Sequence, residues 1–184
     1  MSVLTRLLGA LTAVAASGAL AASTAAGVPA ATASSSARTV PWCTTGDVSV
    51  RLGHGDGAAG SVYFPLVLRN HTGHACRTRG YPGVSYVGGG NGTQIGAPAD
   101  RVRPALPAVP PPVVRLDPGE RAVAVLREVD ALNYPRHRCR PERTDGLRVY
   151  PPGEYAAAFV PQHTVGCRNH RVHLLTVAPF HHAH

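Results

Sequence analysis

Beyond residue 40 this chain is interrupted so often by proline and glycine, which number 17 and 20 in all, that only short extended segments fit between the breaks. Proline cannot donate to a central β-ladder, and both residues weaken a helix interior, so long helices do not survive such punctuation. Nine runs of β-branched and apolar residues lie between the breaks: Val48 to Leu52, Val62 to Leu68, Val84 to Val87, Thr93 to Ile95, Val113 to Leu116, Ala122 to Leu126, Leu147 to Tyr150, Tyr155 to Val160 and Val172 to Val177. Several alternate, as in Val48, Val50 and Leu52 or Val123 and Val125, which puts one face on a core and the other in water. Brief strands in this number predict an all-β sandwich or barrel. One short helical turn fits at Asp130 to Tyr134, stopped by Pro135.

The breaks carry turn chemistry of their own. Gly88-Gly89-Gly90-Asn91-Gly92 supplies the positive φ angles of a tight hairpin, and Leu116-Asp117-Pro118-Gly119-Glu120 reads as a reverse turn into the next strand. Asn70 and Gly73 are available for left-handed geometry after Leu68. Gly53-His54-Gly55-Asp56-Gly57 reads as a hairpin loop. Residues 104–112 are expected as an extended polyproline connection. Trp42 is expected to cover a disulfide and Tyr81 to pack in the core or at an edge, given how strongly aromatics favour burial.

One positive charge, Arg6, precedes an Ala-rich apolar run from Leu7 to Ala22, and small-x-small triplets end at Ala21, Ala26, Ala33 and Ala37. That is the pattern of a secretory signal peptide. Residues 1–26 are taken as that peptide, with cleavage as late as 37. Residues 27–40 form a flexible leader too poor in apolar surface to order itself. No segment offers the roughly 20 apolar residues of a membrane span, and no cysteine closely follows a cleavage position, as lipid attachment would require. The folded domain is placed at 41–179, about 140 residues and enough for one core, with a His-rich tail at 180–184.

Export implies an oxidising compartment, where Cys43, Cys76, Cys139 and Cys167 default to two disulfides. Three pairings are open. The sequential set, Cys43 with Cys76 and Cys139 with Cys167, is the one adopted here as an expectation; it closes loops of about 30 residues, worth about 3 to 4 kcal/mol each. No pair has the spacing of a structural zinc knuckle.

All 18 basic residues are Arg, and the net charge is +8. Exclusive use of Arg fits a GC-rich codon bias, so composition alone names no ligand, although a basic chain associates with anionic polymers and membrane surfaces. Arg77 with Arg79, and Arg136, Arg138, Arg140 and Arg143, read as solvated loop charge. With no recognition helix or stacking platform beside them, no specific nucleic-acid site is expected.

Catalytic signatures are missing from the sequence. There is no Gly-x-Ser-x-Gly elbow, two bridges leave no thiol nucleophile, and the stretch at Gly53 lacks the Gly-Lys-Ser/Thr of a phosphate loop. The acids, Asp117 and Glu120 among them, sit mostly in turns with no spacing that pairs them for glycoside chemistry. His54 with Asp56 is the nearest approach to an acid–base pair. His170 and His173, expected on a strand three residues apart, would face opposite sides. His181, His182 and His184 are the metal candidates, on a tail flexible enough to wrap a Zn, Cu or Ni ion; a tail without a physiological metal is the expectation, and no cofactor is expected.

Taken in order, Gly57 to Ser61, Leu66-Val67-Leu68-Arg69-Asn70, Cys76, Gly80-Tyr81-Pro82-Gly83-Val84, Leu116-Asp117-Pro118-Gly119-Glu120, Leu147-Arg148-Val149-Tyr150-Pro151-Pro152-Gly153 and Cys167 resemble the actinobacterial exported family called domain of unknown function 4232. The resemblance runs from about Trp42 to Val177. It implies an immunoglobulin-like β-sandwich, residence in the envelope or medium, disulfides at the matching cysteines and no enzymatic activity. Many members look like lipoproteins; this chain lacks the lipid-attachment cysteine. The expected function is therefore a secreted, monomeric, non-catalytic module that binds a protein or envelope polymer or serves a structural role. The alternative is an extracellular hydrolase of envelope or polymer substrates, with an acid and a histidine assembled only by the fold.

Overall fold

The two longest runs make the centre of the molecule. In a computed structural model, which describes residues 39–102 and 110–183, the strands in chain order are β1 (Val48–Leu52), β2 (Asp56–Ala58), β3 (Ser61–Asn70), β4 (Cys76–Thr78), β5 (Gly83–Gly88), β6 (Thr93–Ile95), β7 (Asp100–Arg101), β8 (Val114–Leu116), β9 (Arg121–Val129), β10 (Pro141–Arg143), β11 (Gly146–Tyr150), β12 (Ala158–Pro161), β13 (Val165–Cys167), β14 (Leu175–Val177) and β15 (His181–His182). The signal-peptide and leader readings, most of the polyproline connection and His184 lie outside the described residues.

β3 and β9 pair antiparallel from Ser61 against Val129 to Arg69 against Arg121. They anchor a seven-stranded sheet of order β1-β3-β9-β14-β7, to which β2 adds on β3 and β15 on β9. A second sheet runs β12-β11-β5-β6, and β4-β8 and β10-β13 form two short ribbons. Large residues on one central strand face small ones on the other, Leu66 against Ala124 and Leu68 against Ala122, so neighbouring side chains fill the layer without a gap. These residues share one buried cluster with Val84, Tyr86, Leu147, Val149 and Val160 of the second sheet. The fold is all-β and sandwich-like.

Two buried bridges, Cys43–Cys76 and Cys139–Cys167, close it. The first ties the segment before β1 to β4, where Cys43 N–H donates to Arg77 O at 2.9 Å and Arg77 N–H to Pro41 O at 2.8 Å. Trp42 does not bury itself over this bridge. It is 51% exposed, and the Arg77 guanidinium stacks 4.3 Å from its ring centre. Tyr81 packs against the core and donates its hydroxyl to Val102 O at 2.8 Å.

Several expectations change in the structure. Asn70 is not a left-handed turn residue: it is fully buried at the end of β3. Its amide donates to His74 O and Leu116 O, and its side-chain oxygen accepts from Thr72 N–H and Oγ–H. Tight connections of this kind use side-chain acceptors where others use φ > 0. The Gly53–Gly57 loop yields at Asp56 to β2, and the hairpin turns instead at Ala59 and Gly60, both at positive φ. The helical turn expected at Asp130 to Tyr134 stops before Pro135, at the extended Tyr134, and a second, unexpected turn follows. Asp130 caps a 3-10 turn over Ala131–Asn133, and Pro135 then opens a one-turn helix, α1 (Arg136–Cys139), because a helix start does not need the N–H that proline lacks. The strand expected over Val172 to Val177 begins only at Leu175, since Asn169 draws Arg171 N–H and Val172 N–H into a turn.

The His-rich tail is not a flexible appendage. Phe180 is fully buried, and its N–H donates to Gly80 O at 2.9 Å. His181 and His182 then ladder against Val123 and Ala122. An aromatic side chain with this much apolar area draws the end of the chain onto the sheet. Phe180→Ala is expected to destabilise the domain by about 3 to 5 kcal/mol, whereas replacing the exposed His181 or His182 imidazole by a methyl group changes stability by no more than about 0.5 kcal/mol. Urea unfolding of the three variants measures both.

Candidate functional site

The ribbon β10-β13 gathers charge that the sequence keeps apart. Helix α1 delivers Arg136 and Arg138, and Arg140 follows at a left-handed φ of 56°. β10 then pairs with β13 through Pro141 against Cys167 and Arg143 against Val165. Beyond the Cys139–Cys167 bridge, Arg168 N–H donates to Arg140 O at 3.1 Å, Asn169 N–H to Cys139 O at 3.3 Å and the Asn169 amide to Arg138 O at 2.8 Å. Arg136, Arg138, Arg140 and Arg143 are therefore brought near Arg168 and Arg171 in the chain around this bridge, all exposed, and Arg140 and Arg168 meet at one cavity. The one carboxylate carried by these two segments, Glu142, pairs with Arg168 at 3.1 Å. A cavity of about 360 Å³ between this ribbon and β6 is lined by Gln94, Gly96, Arg140, Glu142, Arg168 and His170. Guanidinium groups at its rim have the planar fork that matches a phosphate or carboxylate.

A second cavity, of about 500 Å³, has the opposite character. Glu128, Asp130, Ser61 and Thr164 line it together with the turn at Gly57 to Gly60. Glu128 occupies an inward position of β9 and is only 7% exposed. It accepts from Thr164 Oγ–H at 2.9 Å and from the Gln162 amide at 3.2 Å. Thr144 holds these donors by donating its hydroxyl to Gln162 O and accepting Thr164 N–H. Burial pushes the Tyr86 hydroxyl well above the ordinary tyrosine range, and the neighbouring Glu128 carboxylate pushes it further the same way.

A third surface is aromatic. Trp42, Arg79, Pro152, Gly153 and Glu154 line a groove of about 470 Å³, and Tyr155 beside it is 97% exposed. Glu154 is committed to Thr45, accepting its N–H at 3.0 Å and its hydroxyl at 3.3 Å.

The residues singled out from sequence fall elsewhere. Asp117 and Glu120 serve their turn: Arg115 grips Asp117 through two nitrogens, and Glu120 accepts Asp117 N–H at 2.8 Å. His54 lies exposed in the loop before β2, while Asp56 belongs to that strand opposite Tyr63. His181 and His182 are successive strand residues and point to opposite sides, so they do not converge on one ion. Among the described residues no three His, Cys, Asp or Glu side chains group as metal ligands. His170 and His173 lie in a turn and the extended stretch after it rather than on a strand. His170 reaches the basic cavity, and His173 Nδ1 meets Asp100 Oδ2 at 2.9 Å, both half-exposed. Sequence reasoning missed that pair because β7 and β14 are a parallel pairing between distant segments.

An all-β, sandwich-like domain closed by two buried disulfides is the class this structure defines. Within it, the chain belongs to the family described as Domain of unknown function (DUF4232), which matches residues 43–181. No curated protein and no solved structure matches the chain at a significant level. The family match starts at Cys43 and ends inside β15, so both bridges and the buried Phe180 fall within it.

Asp47 supplies a pH-dependent element near the first bridge. Its carboxylate accepts Thr44 N–H and Oγ–H, each at 2.8 Å. The Thr44 backbone bond foremost, then its hydroxyl, holds the carboxyl below its ordinary value of 3.8, with smaller help from His74 and His71. The unfolded chain therefore takes up this proton first as pH falls. The stabilisation is present above about pH 4 and is lost as pH drops through the folded-state value. In Asp47→Asn this contribution is absent, so the stability gap between wild type and variant narrows towards low pH. Urea unfolding between pH 6 and pH 2 measures it.

Proposed function

We propose that the chain is a secreted, non-catalytic, immunoglobulin-like module that binds an anionic envelope polymer as a monomer, through the arginine face around Cys139–Cys167. The concentration of Arg136, Arg138, Arg140, Arg143, Arg168 and Arg171 on two segments joined by the Cys139–Cys167 bridge supports this reading. Codon bias accounts for arginine in place of lysine; it does not account for six exposed arginines around one bridge. The bridge and the three hydrogen bonds beyond it hold their backbone in place before any ligand arrives, which lowers the ordering cost of binding. Repeating phosphate or carboxylate groups suit such an array, because each guanidinium contributes a fork of donors and the charges attract the polymer from a distance.

Export is supported by the signal-peptide pattern and by two disulfides, which persist in oxidising surroundings. No helix among the described residues is long and apolar enough to cross a membrane. The hydrolase alternative has less support. The carboxyl-lined cavity at Glu128 has no histidine among its described lining residues, and the His173–Asp100 contact lies outside that cavity, half-exposed. General acid–base chemistry requires such groups within reach of one substrate proton.

Binding of the purified protein to a polyglycerol phosphate tests the proposal, with an uncharged glucan as control. Affinity for the phosphate polymer is expected to fall steeply with salt. Replacing Arg138, Arg140, Arg168 and Arg171 by Gln should weaken binding by about tenfold or more and flatten the salt slope by roughly 2 to 4. Replacing the exposed Arg51, Arg79, Arg101 and Arg121 removes the same charge and should cost much less. Equal losses from the two sets would reduce the effect to net charge and overturn the assigned face. Binding to the glucan alone, or tighter binding to duplex DNA, would overturn the polymer.

A further inference from the structure

We infer that the groove at Trp42 is a second binding site, independent of the arginine face, that takes the pyranose ring of a neutral saccharide. The segment before β1 is fastened to β4 on three counts: Trp42 bridges Arg77 in parallel, two backbone hydrogen bonds flank that bridge, and Cys43 is joined to Cys76. The Arg77 guanidinium then covers the indole ring at 4.3 Å. Held by its backbone and by a cation over its ring, Trp42 is still 51% exposed and lines the open groove. An indole carries a large apolar area and normally leaves water. A fixed, half-exposed tryptophan is instead typical of a binding anchor, because it offers a large contact at little ordering cost.

The turn that lines the groove is equally fixed. Pro151 to Glu154 make a reverse turn closed by Glu154 N–H to Pro151 O at 3.0 Å, with Pro152 second and Gly153 third at a φ of 82°. Proline presets the first of those conformations, and glycine takes the other without strain. Glu154 is oriented through one oxygen, since Oε2 accepts Thr45 N–H at 3.0 Å and the Thr45 hydroxyl at 3.3 Å. Its Oε1 makes no hydrogen bond among the described residues. Arg79, exposed on the same groove, has no ion pair or side-chain hydrogen bond among them either. The groove thus presents an apolar ring, a forked donor and a single acceptor, with neither polar group committed elsewhere.

That combination narrows the ligand. A pyranose ring offers a flat face of C–H groups to an indole, and hydroxyls at its edge that each donate and accept. The Arg79 fork suits two such oxygens, while Glu154 Oε1 accepts from a neighbouring hydroxyl. A polyanion would bring negative charge against Glu154, and an ammonium would meet Arg79. An acyl chain would cover both charged groups without giving them a partner, which is costly. A proline-rich peptide also seats its rings on aromatics, but proline has no N–H for Glu154. The groove, about 470 Å³, is in the range of small-ligand sites, and Tyr155 beside it, 97% exposed, is available to stack on a second sugar unit.

Trp42 is the only tryptophan in the chain, so its fluorescence reads the groove directly. Titration with cellotetraose at pH 7 is expected to give a saturable change in emission, and sorbitol, an open-chain polyol with no ring to stack, is expected to give none. Calorimetry then follows the variants. Trp42→Ala should lower affinity by at least about tenfold. Arg79→Gln and Glu154→Gln should each lower it several-fold, and these two carry the test if Trp42→Ala does not fold. Saccharide binding, that of a glucan included, should be indifferent to salt and intact in the four-arginine variant. Polyglycerol phosphate has no pyranose ring and should leave Trp42 emission unchanged, so this site and the polymer face succeed or fail separately. No saturable change up to tens of millimolar cellotetraose, equal affinity in wild type and every folded groove variant, or tighter binding of a proline-rich peptide would overturn the inference.

Discussion

Arg121–Val129 must lie with Ala122, Ala124, Leu126 and Glu128 facing inward, and most of the molecule follows from that register. β9 pairs with β3 along nearly its whole length, with β14 near one end and with β15 near the other. A slip by one residue would turn Val123, Val125 and Arg127 into the core and expose the alanine and leucine face. It would also detach the last segment of the chain, because His181 and His182 ladder only where Val123 and Ala122 stand opposite them. Phe180 reinforces the choice, since its burial is compatible with one placement of β15.

The disulfides act where this sheet does not reach. Cys43–Cys76 holds the segment before β1 against the β4-β8 ribbon, and Cys139–Cys167 holds α1 against β13. Both ribbons are only a few residues long and would be marginal alone. Cross-linking reduces the freedom of the unfolded chain in those two regions, and the basic face and the aromatic groove are both built beside a bridge. The surfaces most suited to recognition thus sit on the short elements fixed covalently, while the extended β3-β9 ladder supplies the rigid base.

How much of this was legible in the sequence depends on the range of the interaction. Strands with strong alternation, such as Val48 to Leu52 and Ala122 to Leu126, declared themselves because period two is a local property. Cysteine arithmetic reached two disulfides but left three pairings open, with the sequential set only an expectation among them. Strands β4, β7, β10, β13 and β15 were not legible, because each has two or three residues and exists through its partner. Pro135 stops the turn at Asp130 to Tyr134 as expected, but the helix it opens went unread because proline both ends and begins helical turns. His181 looked like a loose metal-binding tail because composition does not reveal that the preceding Phe180 is anchored. The acidic cavity was invisible for a related reason: Glu128 reads as one more charged residue in an alternating strand until Tyr86, and Gln162 with Thr164, are brought to it from two other segments.

The two oppositely charged sites are continuous in the chain, which has an electrostatic consequence. Asp130 lines the acidic cavity, and the 3-10 turn and Pro135 after it lead straight into Arg136. On the other side, Thr164 lines the same cavity, and the next residue begins β13 of the basic ribbon. Guanidinium groups gathered around one bridge repel one another, and that repulsion grows as salt is lowered. Glu142 offsets it directly through Arg168. Asp130 and Thr164, which line the acidic cavity, lie a few residues from Arg136 and next to β13 respectively. The acidic cavity and the basic ribbon are therefore neighbours along the chain on both sides, through Asp130 to Arg136 and through Thr164 to Val165.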